Sequence, residues 1–441
     1  MYDLLIKNCG QVVTMSGSMP RCGKEMRELA VIEDGFVACE GERIVAVGFM
    51  GDFEKKSGYF EGKIGKKTRI IDAGGKVLLP GLIDCHTHLI FAGNRAGEWR
   101  EKLAGKSYLE ILAGGGGILS TVMATRAALK KDLLRSGLSH LREMLAYGVT
   151  TVEIKSGYGL DLESEMKILD VAGELGRVQP VCVVRTFLGA HVVGPEFRGE
   201  EGGSASDAAR YLKYLVQKVL PEVRGKADFV DIFCEKGAFD LKQSEKYLRA
   251  AREMGFGVKI HAEQINNLGG CKMACKLGAA SFDHCDHLTV ADIKALGKLS
   301  KGAKGGKKAN FCNEPVAVLL PLVPLFLREH VFADGRAMID NGLAVAVSTD
   351  FNPGSCPSKN IFLAMSMACL KMGLLPEEAL TAVTVNAAAA LRLFDRGVIE
   401  KGKRADLVLF DVQNYQEIPY WMGDSKVAKV VCGGKVVLTA S

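Results

Sequence analysis

Between Pro80 and Leu391 the chain alternates short apolar runs with longer stretches whose apolar residues recur every three to four positions. No other feature constrains its fold as tightly. Eight runs read as strands: "GLIDCHTHL", "VTTVEIKSG", "VVRTFLGAH", "DFVDIFCE", "GVKIHAE", "AASFDHC", "ANFCNE" and "AVAVSTD". Helical patterns such as "LESEMKILDVAGELGR" and "SEKYLRAAREMG" lie between them. Strand–helix repetition places successive strands parallel and helices outside, and eight units predict a (β/α)8 barrel. A doubly wound open sheet is the rival. No GxGxxG opens a helix after an early strand, so a dinucleotide fold is not indicated. The ends have another texture. Residues 1–79 and 392–441 carry β-branched runs broken by Gly and Asp turns, which predicts one small composite β-domain beside a barrel of residues 80–391.

A barrel demands that its chemistry sit at the C-terminal ends of strands and in the loops that follow. His86 and His88 close the first run, Tyr158 follows the second, His191 ends the third and Glu235 the fourth. His261 ends the fifth, His284 the sixth, Asn313 and Glu314 the seventh, and Asp350 the eighth. Only eight histidines occur in the chain, and five fall on this rim. Side chains two apart on a strand share a face, so His86 and His88 can bind one ion together. His261 and Asp350 can complete the set. Three imidazoles and a carboxylate suit Zn(II) well and Fe(II) acceptably.

Such an ion calls for proton handling nearby, and Asp350 and His284 are the candidates. Gln264 can orient substrate or water but cannot act as a base. Glu263 is either a proton carrier or a solvated or salt-bridged carboxylate. Arg95, in the first strand–helix loop, has a fork suited to a carboxylate or phosphate, though surface exposure is the usual fate of arginine. Tyr108 is packing or a polar handle, and Tyr158 stands between glycines in a loop that can crowd a ligand. Asn352, Ser355 and the amides of the "NPGS" turn can hold an anion or amide, or serve the turn alone.

Composition narrows the class. The chain has 441 residues, 48% hydrophobic and 24% charged, with a net charge of +6. Its basic residues are scattered except in "SKGAKGGKK", Ser300 to Lys308, which reads as a surface loop. No basic face with interleaved aromatics points to nucleic acid. The 13 cysteines form no CxxC pair and read as reduced thiols, with Cys271 and Cys275 on one helix. The longest apolar run, "PVAVLLPLVPLFL", falls short of the ~20 residues of a membrane span and reads as a buried helix or turn. No signal-peptide pattern opens the chain, so the expected location is cytoplasmic.

On "PGLIDCHTH", "KIHAE", "STD" and "GVIEKGKRADLVLFD" the sequence resembles the amidohydrolase superfamily. On "FAGNRAGEW", "LAGKSYLEILAGGGGILSTVMATR", "TVEIKSGYGLDLESEMKIL", "TFLGAHVVGPEF", "HAEQINNLGG" and "STDFNPGSCPS" it resembles, within it, the imidazolonepropionase family. The resemblance covers essentially the whole chain. It implies a distorted (β/α)8 barrel with a small β-sandwich made from both termini, and a homodimer. It implies one metal ion, Zn(2+) or Fe, on His86, His88, His261 and Asp350. Substrate contacts would fall on Arg95, Tyr108, Tyr158, His191, Gln264, Asn352, Gly354 and Ser355, with His284, Asp350 and Gln264 in catalysis. The implied reaction is hydrolysis of the cyclic amide of 4-imidazolone-5-propanoate to N-formimidoyl-L-glutamate, in histidine degradation. Three features depart from the pattern: Gln264 stands where some relatives and sibling deaminases carry Glu, "DHCDHL" replaces a shorter motif, and the Lys-rich segment looks inserted. A heterocycle deaminase on the same fold is the alternative, disfavoured by Gln264 and Arg95. A silent barrel would lack metal ligands, and none is missing here.

Overall fold

A computed structural model describes residues 1–55, 62–106, 116–199, 204–302 and 314–439. Tyr108 and Asn313, together with most of the Lys-rich segment, lie outside the described residues.

The middle of the chain builds one parallel sheet whose strands pair in chain order. They are Leu82–Asp84, Val149–Lys155, Cys182–Ala190, Phe229–Cys234, a fifth strand broken into Gly257–Val258 and His261–Ala262, then Ser281–His284, Val316–Leu319 and Ala344–Val347. The eighth returns to the first through its continuation. Thr87 and Phe351 form a parallel bridge, the Asp350 amide donates to the His86 carbonyl at 3.0 Å, and the His88 amide donates to the Phe351 carbonyl at 2.9 Å. The sheet thereby curls into a nearly closed barrel. Its strands are buried on both faces, as expected where helices cover the outside; every residue of Val149–Lys155 is buried.

The helices carry the caps their sequences advertise. Asp161 accepts from the Ser164 amide at the start of Leu162–Val178, and Asp240 with Gln243 forms a capping box before Leu241–Glu253. Cys271 and Cys275 share the helix Gly270–Leu277. No helix of the described residues is long and apolar enough to cross a membrane.

Both termini meet in a second, mixed sheet of eight strands. Leu4–Val13 lies antiparallel to Val31–Glu40 and parallel to Arg69–Asp72 and Val77–Pro80. Val77–Pro80 pairs antiparallel with Leu407–Phe410, which joins the N-terminal strands to the C-terminal ones. Strand alternation sends Leu4 and Ile6 into one buried cluster and Leu5 into another with Phe36 and Phe53, so this sheet is covered on both sides.

One strand differs from the sequence reading. The seventh barrel strand is Val316–Leu319, within "PVAVLLPLVPLFL", and that run continues into the helix Leu322–Leu327. Val316 to Leu319 pair in register with Ala344 to Val347, which fixes the strand. Glu314 therefore precedes the seventh strand instead of ending it. It lies away from the rim and accepts from the Cys22 thiol at 3.2 Å.

Candidate active site

The H-x-H pair does not belong to the first strand proper. It lies just beyond Asp84, where the chain stays extended because both neighbours hold it. The Lys155 amide donates to the Thr87 carbonyl at 2.8 Å, and the Thr87 hydroxyl donates to the Glu153 carbonyl at 2.6 Å. Thr87 thus faces the second strand while His86 and His88 turn the other way, to the barrel axis.

His86, His88, His261 and Asp350 converge there. Nε2 of His86 and of His88 lie 3.4 and 3.5 Å from Oδ1 of Asp350, and Nε2 of His261 lies 3.4 Å from Nε2 of His88. His86 Nε2 and Asp350 Oδ1 are buried without a hydrogen-bond partner. Buried polar atoms are rarely left so, and imidazole and carboxylate ligand atoms gathered this closely fit a cation. Burial, reinforced by surrounding cationic groups, holds the imidazoles of His86 and His88 well below the usual histidine range, so they keep lone pairs for a ligand. Burial also pushes the Asp350 carboxyl up to about 7, against the pull of His261.

His284 joins this cluster. Its ring centroid is 5.4 Å from that of His261 and 5.7 Å from that of His86. Ligand atoms of His86, His261 and His284 lie within 4.8 Å of one another, as do those of His86, His88 and Asp350. His287 has left the axis; its amide donates to the Glu263 carbonyl at 2.8 Å.

Several rim residues that are not glycine adopt left-handed backbone, among them Glu263, His284 and Asp350, with φ of 54°, 82° and 53°. Such conformations persist only where surroundings impose them. For Asp350 the restraint is visible. The Asn352 carboxamide donates to the Asp350 carbonyl at 2.7 Å and to Ser355 Oγ at 2.9 Å, and its oxygen accepts from the amides of Gly354 and Ser355 at 2.8 and 2.7 Å. These bonds tie Asn352 into its own turn, and that turn holds Asp350.

Two glutamates of the rim serve the backbone as well. Glu263 accepts from the amides of Gly269, Gly270 and Cys271 at 2.7–2.8 Å, capping Gly270–Leu277. It is neither solvated nor salt-bridged. Glu235 accepts from the amides of Ile265 and Asn266 at 2.9 and 3.1 Å. Together they fix the loop that carries half-buried Gln264. Glu263→Gln should lower stability by about 1–3 kcal/mol in denaturant unfolding. Its kcat should fall less than about tenfold, whereas loss of a proton carrier costs about 100-fold or more; a loss of that size would restore Glu263 as the carrier.

The opposite wall holds the remaining residues. The ring of His191 stacks on His88 at 5.1 Å, and its Nδ1 lies 3.3 Å from the Gly157 carbonyl. Burial brings His191 down to about 3. Buried Tyr158 lies 5.8 Å, ring to ring, from both His88 and His191. Burial and the Asp350 charge raise its phenol above the usual range, and the Arg95 charge opposes them. Asp350 and Arg95 are thus both near enough for their charges to act on Tyr158. The Tyr158 loop is fixed by Glu165, unnoticed in the sequence, which accepts from the amides of Gly157, Gly159 and Leu160. Arg95 starts the helix Ala96–Leu103, and its guanidinium lies over Gly354.

A buried charge network beneath the histidines was also unnoticed. Lys155 Nζ lies 2.7 Å from Asp231, 3.2 Å from Glu153 and 3.4 Å from Asp283, and Lys259 Nζ lies 2.8 Å from Glu153. Asp283 in turn holds His86 Nδ1 at 2.7 Å, and Asp231 lies 3.1 Å from His261 Nδ1. A carboxylate on Nδ1 leaves Nε2 to face the cation. The signal was the strand period: Lys259 precedes His261 by two, and Glu153 precedes Lys155 by two, so all point inward.

The amidohydrolase family model matches residues 77–437. The chain belongs to the amidohydrolase family. It is 45% identical to the imidazolonepropionase of Alkaliphilus metalliredigens, over 99% of this chain and 98% of that one. It is 43% identical to the imidazolonepropionase of Bacillus velezensis, over 99% and 97%. Within the amidohydrolases it therefore belongs to the imidazolonepropionase family. Its fold is shared by atrazine chlorohydrolase of Arthrobacter aurescens, solved with zinc, at 18% identity, TM-score 0.63 and coverage of 99% and 95%. Escherichia coli guanine deaminase shares it at 15% identity, TM-score 0.64 and coverage of 99% and 99%.

Proposed function

We infer that this chain hydrolyses the cyclic amide C–N bond of 4-imidazolone-5-propanoate, giving N-formimidoyl-L-glutamate in histidine degradation. The observation that carries this reading is a His/Asp cluster with the Arg95 guanidinium lying against Gly354, in the turn that follows Asp350: a reaction centre and an anion anchor on one rim. Zn(2+) or Fe on His86, His88, His261 and Asp350 would supply Lewis acidity and a more acidic water. Zinc has a precedent in the triazine enzyme of the same fold.

The residues divide the work. Arg95 binds the propanoate carboxylate and sets the ring's distance from the cluster. Tyr158 and His191 bound the ring pocket and keep water out. Gln264, fixed by the loop beside it, orients the carbonyl or the attacking water. Water adds oxygen to the ring carbonyl carbon, and Asp350 or His284 takes its proton. The same proton returns to the ring nitrogen as the C–N bond breaks, so no other reactant is consumed. Asn352, Gly354 and Ser355 shape the turn and, with Tyr108, belong to the substrate contacts of this reading. The division into 1–79 with 392–441 and 80–391, a homodimer and a cytoplasmic location belong to it too.

The test is ultraviolet decay of imidazolonepropanoate alongside metal analysis of the same sample. Activity should disappear on chelation and return with Zn(2+) or Fe(2+). A metal-replete protein that leaves the ring intact but releases ammonia from an aminated heterocycle would make it a deaminase.

A further inference from the structure

Arg95 does not float in its loop. Its Nε donates to Glu98 Oε2 at 2.8 Å, and both side chains are about four-fifths buried, with 20% and 19% exposure. Glu98 is itself fixed from the other side. Its Oε1 accepts from Ser120 Oγ at 2.9 Å, and its Oε2 also accepts from the Gly117 amide at 3.1 Å. An acid in the first turn of Ala96–Leu103 is ordinarily placed there for the helix dipole. Glu98 does more, because its bonds run to Arg95 and to the start of the helix Ile118–Ala127.

Gly354 meets the guanidinium from the opposite side. A Cβ there would stand 3.2 Å from Arg95 Cζ and closer still to Nη1, too near for both to remain. Gly354 is thus the absence of a side chain that lets Arg95 lie against the Asp350 turn.

A guanidinium can take a carboxylate on its Nε–Nη2 edge or on its Nη1–Nη2 end. Glu98 occupies Nε, which leaves the end. We propose that Glu98 is a positioning residue that, with Gly354 as the slot, fixes Arg95 for end-on capture of the substrate carboxylate. This rests on the reading of Arg95 as the propanoate anchor. The consequence is an unusual sign. Glu98 is an anion beside the anion site, so removing its charge does not weaken carboxylate binding; it releases the aim of the anchor and so the placement of the ring.

Glu98→Gln should therefore lower kcat about tenfold while KM for imidazolonepropanoate stays within about threefold. Gly354→Ala, which displaces Arg95 without changing charge, should give the same kcat loss. On 5-ethyl-4-imidazolone, which lacks the carboxylate, both variants should match the parent within about twofold. Metal content per chain should be unchanged. Arg95→Ala should instead raise KM at least about tenfold. If Arg95→Ala leaves KM unaltered, the anchor reading itself fails. If Arg95→Ala raises KM but Glu98→Gln and Gly354→Ala keep the parent's kcat, only the positioning role fails. Equal losses on the ethyl analogue, or loss of metal with kcat, would also overturn it, since both mark general damage.

Discussion

Asp350→Asn should lower kcat by about 1,000-fold or more while the protein stays folded. The substitution keeps the shape and removes the one carboxylate whose unpartnered oxygen is aimed between His86 and His88. Stability should move the other way in metal-free protein. Burial raises the Asp350 carboxyl from 3.8 to about 7. An acid whose folded pKa is raised stabilises the fold fully below its unfolded value, and that contribution is lost as pH climbs through the folded value. The window is therefore between about pH 4 and pH 7. The buried imidazoles of His86, His88 and His191 favour the fold as pH rises in parent and variant alike, so the effect is read as a difference: across the window the chelator-treated parent should fall in melting temperature relative to Asp350→Asn. Above pH 7 the variant should melt no lower than the parent, the trade expected where function holds a charge in the interior. Parallel scans at pH 5 and pH 8 read this directly; retention of a tenth or more of the activity would remove Asp350 from the chemistry.

What the sequence disclosed about this site follows from strand geometry. His86, His88 and His261 were legible because period two and strand ends are visible in one dimension. The (β/α)8 order and the joining of both termini were legible as texture. The seventh strand was not, because "PVAVLLPLVPLFL" is one apolar run that the chain divides between a strand and a helix, with prolines in both halves. Glu263 stayed open because its backbone turns left-handed just past the strand, which no neighbouring residue announces. Asn352 was a candidate ligand contact, and the bonds by which it also braces its own turn could not be read from the sequence. Arg95 could be picked out, but its partners could not: Gly354 is far away in sequence and becomes relevant only when the first and eighth strands close the barrel.

Lys155→Met should destabilise the folded protein by about 3–5 kcal/mol, a large share of the ~5–15 kcal/mol that holds a typical domain together. Glu153, Asp231 and Asp283 are fully buried, and Lys155 and Lys259 are the ammonium groups paired with them. Burial pulls the Lys155 ammonium down, yet Asp231, Glu153 and Asp283 together outweigh it and hold it above the ordinary lysine range. Removing it sets three carboxylates against one ammonium with no water to screen them. A methionine fills the space, so the loss reports charge and not a cavity. Lys426→Met makes the contrast: its 2.6 Å pair with Asp424 is partly solvent-exposed, and the change should cost no more than about 1 kcal/mol. Adding Glu153→Gln to Lys155→Met restores a balance of two carboxylates to one ammonium, so the double variant should be more stable than Lys155→Met alone. Denaturant unfolding of the single and double variants measures that coupling. Because Asp231 and Asp283 also face His261 and His86, metal affinity should fall in Lys155→Met and stay at the parent's value in Lys426→Met. Full metal affinity in a destabilised Lys155→Met protein would confine the network to the fold.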